Sequence, residues 1–406
     1  MEQTNNKNNN NSLIVFMIIA ILLLCGVICY LIFNLGKENP NVENNNDNNV
    51  VDQGNNDNAS NKDENQNDEG DNITEEDNNK IVKVEFKDLN LCTYFALRLK
   101  TECKKDDSNY IEITQDAIDS VISVHYEDDY YQTLIKVKNL KGIENFKNIT
   151  RLATWTDDLS VLTSLTNLET LHLHGETVTN INDLANLTNL KNLMLQDTNV
   201  GDLTPLSNLK KLEFLSFGEN VDDQQDHPES KITNISALAN LTNLKTLILY
   251  NTKISDISLL SKLVNLKELD ISGTNVKNID ALASLTNLET LKAIDTQITN
   301  FSSLSSLNEL TTLVINGTKI KNANTLKNIK NLKNLYIEFS YITDINGLSN
   351  LTNLERLSLY HTEVSDVSPL ANLHNLKYLL IAETNVIDTT PLDNIKGLEI
   401  DSEGGL

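Results

Sequence analysis

Aromatic side chains are scarce in this chain. They make up 5% of its 406 residues and include one tryptophan. An ordinary globule fills its core with more large rings, whereas a core built from layers of leucine does not need them. Cysteines number four, and no CxxC pair or Cys/His set with zinc spacing occurs among them. A Gly-rich phosphate loop and a nucleophile elbow are also missing, so the usual sequence marks of nucleotide and acyl-transfer chemistry are lacking. No enzyme activity and no cofactor are expected. Positive charge is short as well: 33 Lys and Arg stand against 57 Asp and Glu, a net −24. Nucleic acid and anionic lipid surfaces are poor partners for such a chain.

What is present begins with an apolar run. Residues Leu13 to Leu35 read LIVFMIIAILLLCGVICYLIFNL, without a charge. As a helix this run is about 34 Å long, enough for a bilayer core of about 30 Å. It is longer than the core of a cleaved signal peptide and lacks the small residues of a cut site. A signal-anchor span over 13–35 is expected, behind a short cytoplasmic tail at 1–12. Leu24-Cys25-Gly26 is similar to a lipoprotein cleavage site, but a bulky Leu precedes the Cys and the apolar run continues past it. A membrane span is the preferred reading, with lipidation of Cys25 the alternative. Flanking charge is nearly balanced, with Lys7 before the span and Lys37 beside Glu38 after it. The acidic stretch downstream favours the large part lying outside. That stretch, 36–80, holds 13 acids, three lysines and 16 asparagines. It cannot bury enough apolar surface to offset its ordering entropy, and a disordered stalk is expected.

From Leu165 the sequence repeats every 22 residues, with units starting at Leu165, Leu187, Leu209, Leu241, Leu263, Leu285, Leu307, Ile329, Leu351 and Leu373. Within a unit, apolar residues fall at positions 1, 4, 7, 9, 14, 17 and 20. Leu241, Leu244, Leu247, Leu249, Ile254, Ile257 and Leu260 show the full set. The pair at positions 7 and 9 alternates with period two, which makes a short strand with both side chains on one face. The three-residue spacing of the others suits tight turns and 3₁₀ segments on the opposite side. One such coil cannot repay its ordering entropy alone, but stacked coils can. The spacing therefore predicts a solenoid: a right-handed horseshoe or arc with a parallel sheet on its concave face. Regular units span 165–394. Position 12 is usually Thr, as at Thr198, Thr252 and Thr274, where hydroxyls are expected to satisfy turn backbone groups of neighbouring coils.

The array is irregular in a few places. Ten extra residues, 221–230, interrupt one unit; they are polar, contain Pro228 and are expected to form a surface loop. A binding role and a tolerated insertion are both open for them. Leu134, Val137, Leu140, Ile143, Phe146, Ile149 and Leu152 form a shortened start, so the repeat domain spans 134–406. Leu392 to Asp401 matches the opening of a unit and should add a last strand within 395–401. A helix is expected from Asn90 to Lys100. It would hold Cys92 and Cys103 about 16 Å apart, too far for a disulfide, although an oxidising exterior would permit one. His172 and His174 alternate onto the concave face with Glu176 nearby. Two imidazoles and one carboxylate make a weak metal set, and solvated strand residues are the preferred reading.

These units resemble the internalin-type, 22-residue class of bacterial leucine-rich repeats. The segment before them adds to the likeness. Val84 to Leu91 followed by an apolar helix looks like the start of a helical N-terminal cap in that family, and Ile113 to Ile118 looks like its second helix. Leu140 to Phe146 resembles the lead-in to the first coil. The resemblance implies a small helical cap at 81–133. It also implies a surface or secreted protein of a Gram-positive bacterium that binds host or envelope partners by its concave sheet. The chain departs from the pattern in lacking a C-terminal LPxTG-type sorting motif and an immunoglobulin-like domain after the repeats. An ectodomain anchored at its N-terminus, rather than a sorted wall adhesin, is the implied arrangement.

Positions 6, 8 and 10 of a unit point away from the core. A face without a partner should carry small polar and charged residues there. This face carries Phe214, Ile248, Tyr250, Val314, Tyr336, Arg356, Tyr360 and Tyr378, with Phe339, Tyr341 and His361 along its edge. Aromatics and arginine dominate interface energies. The expectation is a monomeric ectodomain that binds a protein or glycan on this face. The alternatives are a passive envelope scaffold and, further off, an enzyme.

Overall fold

The computed structural model describes residues 80–125, 131–218 and 230–404. The expected span at 13–35, with Cys25, lies outside the described residues, as does almost all of 36–80 and 221–230. Among the described residues no helix is long and apolar enough to cross a membrane.

The N-terminal module is built as much from strands as from helix, which corrects the expectation of a helical cap. Strand β1 (Ile81–Phe86) leads into α1 (Leu89–Arg98), then β2 (Lys104–Lys105), β3 (Asn109–Thr114) and the short α2 (Gln115–Asp119). β3 pairs antiparallel with both β1 and β2. Alternation explains this: Val84, Phe86, Ile111 and Ile113 are buried, while Lys83, Glu85 and Glu112 face outward. Asp88 starts α1 by accepting the Asn90 amide at 2.7 Å and the Leu91 amide.

Cys92 and Cys103 are disulfide-bonded, with their Cα atoms 5.7 Å apart. The expectation that they stay apart was wrong. Two features correct it: α1 ends at Arg98 and Lys100 adopts φ +54°, so the chain doubles back instead of extending the helix. The module joins the solenoid through stacked rings. Phe95 lies 4.1 Å from Phe146 of the first coil, and Phe86 lies 5.4 Å from Phe95. Gly142 makes the junction possible. Its φ is +114°, and a Cβ there would come within 2.5 Å of the Glu85 carbonyl oxygen.

The solenoid carries a 13-stranded sheet whose spatial order follows the sequence. It opens with β4 (Ser123–Val124), β5 (Arg151–Thr154), β6 (Thr170–His174), β7 (Asn192–Gln196) and β8 (Phe214–Ser216). It continues with β9 (Thr246–Ile248), β10 (Glu268–Asp270), β11 (Thr290–Lys292) and β12 (Thr312–Val314), then β13 (Asn334–Tyr336), β14 (Arg356–Ser358), β15 (Tyr378–Leu380) and β16 (Glu399–Asp401). Every neighbour pair is parallel and in register: Leu247 faces Leu269, which faces Leu291. Short 3₁₀ turns such as Ser258–Lys262 return the chain on the other side. The seven apolar positions are the core; in the unit from Leu241 none is more than 2% exposed. Each such Leu contributes roughly 1.5–3 kcal/mol by leaving water.

Two polar columns close the coils. The hydroxyls at position 12 donate within their own coil rather than to a neighbour, as in Thr274 to the Ile271 carbonyl at 2.6 Å and Thr318 to the Ile315 carbonyl at 2.7 Å. That corrects the expected ladder between coils: the turn brings the hydroxyl over the carbonyl three residues back. The inter-coil ladder is made by asparagine at position 3 instead. Asn265 donates to Thr242, Asn287 to Val264 and Asn375 to Thr352, each at 2.8–2.9 Å.

Candidate binding face

Parallel register turns unit positions into columns. Tyr336 stands beside Val314 on one side and Ser358 on the other, and Arg356 stands beside Tyr378. The Arg356 guanidinium lies 5.7 Å from the centre of the Tyr378 ring, and the Tyr378 hydroxyl donates to Asp401 at 3.4 Å. Phe339 meets Tyr360 edge-on at 5.3 Å and His361 at 5.4 Å. The structure thus brings together Val314, Tyr336, Arg356, Tyr360 and Tyr378 with the edge residues Phe339 and His361. Tyr341 is 58% exposed, with the Lys319 ammonium 5.5 Å from its ring centre. Phe214, Ile248 and Tyr250 form an earlier group on β8, β9 and the residues after them. Strands β10 and β11, with Asp270 and Lys292, separate it from the later group.

Position 11 follows each strand and takes a left-handed backbone. Asp197, Asn251, Gly273, Asp295 and Gly317 adopt φ between +52° and +67°, a conformation suited to Gly, Asn and Asp. A Cβ at Gly317 would meet Asp295 Oδ1 at 2.0 Å, so the Asp295 side chain would have to move aside. The next two coils place Phe339 and His361 at this position, both with φ +52°. Bulky side chains in this region store strain, and such strain clusters at functional sites.

Two residues of this face were not singled out by the sequence. Glu338, at position 10, is 3% exposed. The Asn316 side chain holds it, donating to Glu338 Oε2 and accepting the Glu338 amide, each at 3.0 Å. Burial raises its pKa above the ordinary carboxylate range. Ser358 is 2% exposed, and its hydroxyl finds no partner in hydrogen-bonding geometry, although Glu338 is close enough for the hydroxyl to oppose that rise. Their positions on the outward face were legible. Their burial was not, because it comes from flanking rings on adjacent strands about 4.8 Å away. Asp270, between Ile248 and Lys292 in register, is 6% exposed, and its pKa is raised by burial.

At the other end of the sheet, His172 and His174 are not solvated strand residues as expected. His172 is 1% exposed, and its Nδ1 lies 3.2 Å from Nε2 of His125, which follows β4. Trp155 stacks on His174 with ring centres 4.7 Å apart. Burial, with His125, His174 and Arg151 adding to it, drives the His172 pKa down to about 2. Burial takes His174 to about 4, against the opposing pull of Asp197 and Gln196. These imidazoles are neutral packing groups. Among the described residues no group of three or more His, Cys, Asp or Glu is arranged to hold a metal ion.

Known proteins support the same architecture. A leucine-rich repeat region model matches residues 196–391. The solved structure of an internalin, InlF, from Listeria monocytogenes is similar at 28% identity and a TM-score of 0.61, covering 78% of this chain and 95% of that one. The repeats of this chain are leucine-rich repeats similar to those of an internalin. Internalin C2 from the same organism is similar at 25% identity, covering 68% of this chain and 95% of that one, with a TM-score of 0.40. A leucine-rich-repeat protein of Leptospira interrogans matches at 18% identity, covering 71% and 97%, with a TM-score of 0.39. The curated proteins give no match. Within the array, the outward tyrosines Tyr336, Tyr360 and Tyr378, each in a different column, and the left-handed Phe339 and His361 depart from the regular coils.

Proposed function

We propose that this protein is a cell-surface binding protein of a Gram-positive bacterium. The repeat domain, 134–406, faces the exterior, with the module at 81–133 covering its first coil. Residues 36–80 form the stalk and 13–35 the single membrane span. A protein or glycan partner docks on the sheet face through Tyr336, Arg356, Tyr360 and Tyr378, flanked by Val314, Phe339 and His361. Phe214, Ile248 and Tyr250 form a second contact group along the same face.

The observation that supports this most is the pair Phe339 and His361. Three adjacent coils abandon Gly, Asn or Asp at a left-handed position, with Phe339, His361 and Glu383, and the first two place rings beside Tyr360. Stacking coils gain only a ring contact that the backbone strain offsets, whereas surface rings of low side-chain entropy suit an interface. A passive scaffold role does not explain it. Full-length protein displayed on cells should capture a partner from host or envelope fractions, and Tyr336→Ala with Tyr360→Ala should not. A membrane-impermeant amine label should reach lysines of the repeat on intact cells. Labelling only after lysis would contradict the outward orientation.

A further inference from the structure

We propose that a cleft off the sheet face, between residues 305–308 and 328–331, binds a phosphorylated sugar or polyol, with Lys330 holding the phosphate in the field of Lys327. The site is separate from the sheet face and does not depend on the reading of that face.

Charge points there first. The chain carries a net −24, yet Leu310 to Ile337 holds Lys319, Lys321, Lys327, Lys330 and Lys333 with no Asp or Glu. Two of these are engaged: the Lys319 ammonium lies 5.5 Å from the centre of the Tyr341 ring, and Lys333 acts on Glu355. Lysines of other coils pair with a glutamate of the next, as Lys191 does with Glu169 at 2.8 Å and Lys267 with Glu289 at 2.7 Å. Lys321, Lys327 and Lys330 are exposed and make no ion pair among the described residues. Screening confines such fields to about 8 Å at physiological salt, so these lysines, not the total charge of the chain, set what a ligand meets here.

The second observation is the cleft itself. It has a volume of about 360 Å³ and is lined by Ser305, Leu307, Asn308, Asn328, Lys330 and Asn331. Each wall is the bend between a 3₁₀ return and the next strand: Ser302–Ser306 before β12, and Ala323–Thr325 before β13. Position 2 of the unit is Thr286 in the coil before and Thr352 in the coil after, but Asn308 and Lys330 here. Two rungs of the asparagine ladder fix this backbone. Asn331 donates to the Asn308 carbonyl at 2.7 Å, and Asn353 donates to the Lys330 carbonyl at 3.1 Å. Both rungs end on backbone oxygens. They leave the Ser305 hydroxyl, the Asn308 and Asn328 amides and the Lys330 ammonium as donors for a ligand.

No carboxylate lines the cleft. Glu309, which follows Asn308, acts on Lys267 of an earlier coil. Neutral donors around an ammonium suit an oxyanion on a hydroxyl-bearing carrier. A phosphate monoester carries about −1.5 to −2 at pH 7, which two neighbouring lysines match better than they match a single carboxylate. Ligand pockets run from roughly 300 to 1,000 Å³, so this one has room for a single sugar or polyol unit.

The test is calorimetry of the full chain in an uncharged detergent with five probes: glucose 6-phosphate, glycerol 3-phosphate, inorganic phosphate, glucose and glucuronate. Wild type should bind at least one of the two phosphate esters saturably and more tightly than the last three probes, and the tighter ester names the carrier. Lys330→Gln should weaken that binding at least about ten-fold and Lys327→Gln about three-fold, while Lys330→Arg retains it. Lys277→Gln, at an exposed lysine two coils earlier, should leave it unchanged. Tyr336→Ala with Tyr360→Ala should also leave it unchanged, which separates this site from the sheet face. The inference is overturned if Lys330→Gln binds like wild type, or if Lys277→Gln loses as much as Lys330→Gln. It also falls if inorganic phosphate, glucose or glucuronate binds as tightly as the esters, if the tyrosine pair abolishes binding, or if no probe binds.

Discussion

The Phe339 ring meets the Tyr360 ring edge-on, with centres 5.3 Å apart and planes 85° apart. Phe339 reaches that contact only from a left-handed backbone, which costs a non-glycine residue roughly 1–2 kcal/mol. Phe339→Gly should therefore lose little stability. The relief of strain offsets the lost ring contact of about 0.5–1.5 kcal/mol, leaving a net change within about 1 kcal/mol. Denaturant unfolding checks this, and a loss above about 3 kcal/mol would show that Phe339 is a core residue rather than a surface ring held in place.

Leu269 and Asp270 are neighbours on β10 that face opposite ways, and both are buried. Leu269→Ala should cost about 2–5 kcal/mol by opening a cavity in the leucine column. Asp270→Asn should be neutral or stabilising at pH 7. The Asn oxygen can still accept the Ser272 amide, which now meets Asp270 at 2.8 Å, and the desolvated charge is gone. Equal losses for the two variants would place the strand register one residue off.

Acid should loosen the N-terminal coils. His172 and His174 are neutral in the fold, with pKa values near 2 and 4, while the unfolded chain protonates near 6.5. Their stability contribution is complete above pH 6.5 and is lost as pH falls toward the folded values. For His174 this amounts to about 3 kcal/mol by pH 4. The raised carboxyls Asp270 and Glu338 act with the opposite sign, so the informative quantity is the difference from a His172→Asn, His174→Gln variant. Trp155, the single tryptophan, stacks on His174 and reports it by fluorescence. An identical pH dependence in the two proteins would mean that these imidazoles are solvated.

Reducing the Cys92–Cys103 bond should cost the N-terminal module about 2–4 kcal/mol, since the bond closes a short loop in the unfolded chain. Calorimetry with and without reductant checks this. No change in the first transition would mean that the aromatic stack of Phe86, Phe95 and Phe146 holds the module by itself.

The solenoid was legible because its period is a packing rule: each apolar position that recurs every 22 residues must meet its copy in the next coil. Leu247, Leu269 and Leu291 show it directly. The module before it was less legible. Its disulfide depends on a reversal at Lys100, which no pattern in the sequence announces. On the proposed binding face, the outward placement of Tyr336, Tyr360 and Tyr378 followed from strand alternation. The burial of Glu338, Ser358 and His172 did not, because it depends on which side chains stand beside them on other strands. The asparagine ladder at position 3 could have been found, since Asn265, Asn287 and Asn375 recur in phase with the core leucines.

The central claim is that β13 to β15 carry the binding site. Once a partner has been captured, its affinity can be measured by calorimetry for wild type, for Tyr336→Ala with Tyr360→Ala, and for Met194→Ala, on β7 beside His172 toward the other end of the sheet. The account predicts that the tyrosine pair loses at least about 2 kcal/mol of binding while unfolding as wild type does, and that Met194→Ala binds normally. Wild-type affinity in the tyrosine pair, together with a loss in Met194→Ala, would place the site at the N-terminal end of the sheet and contradict it.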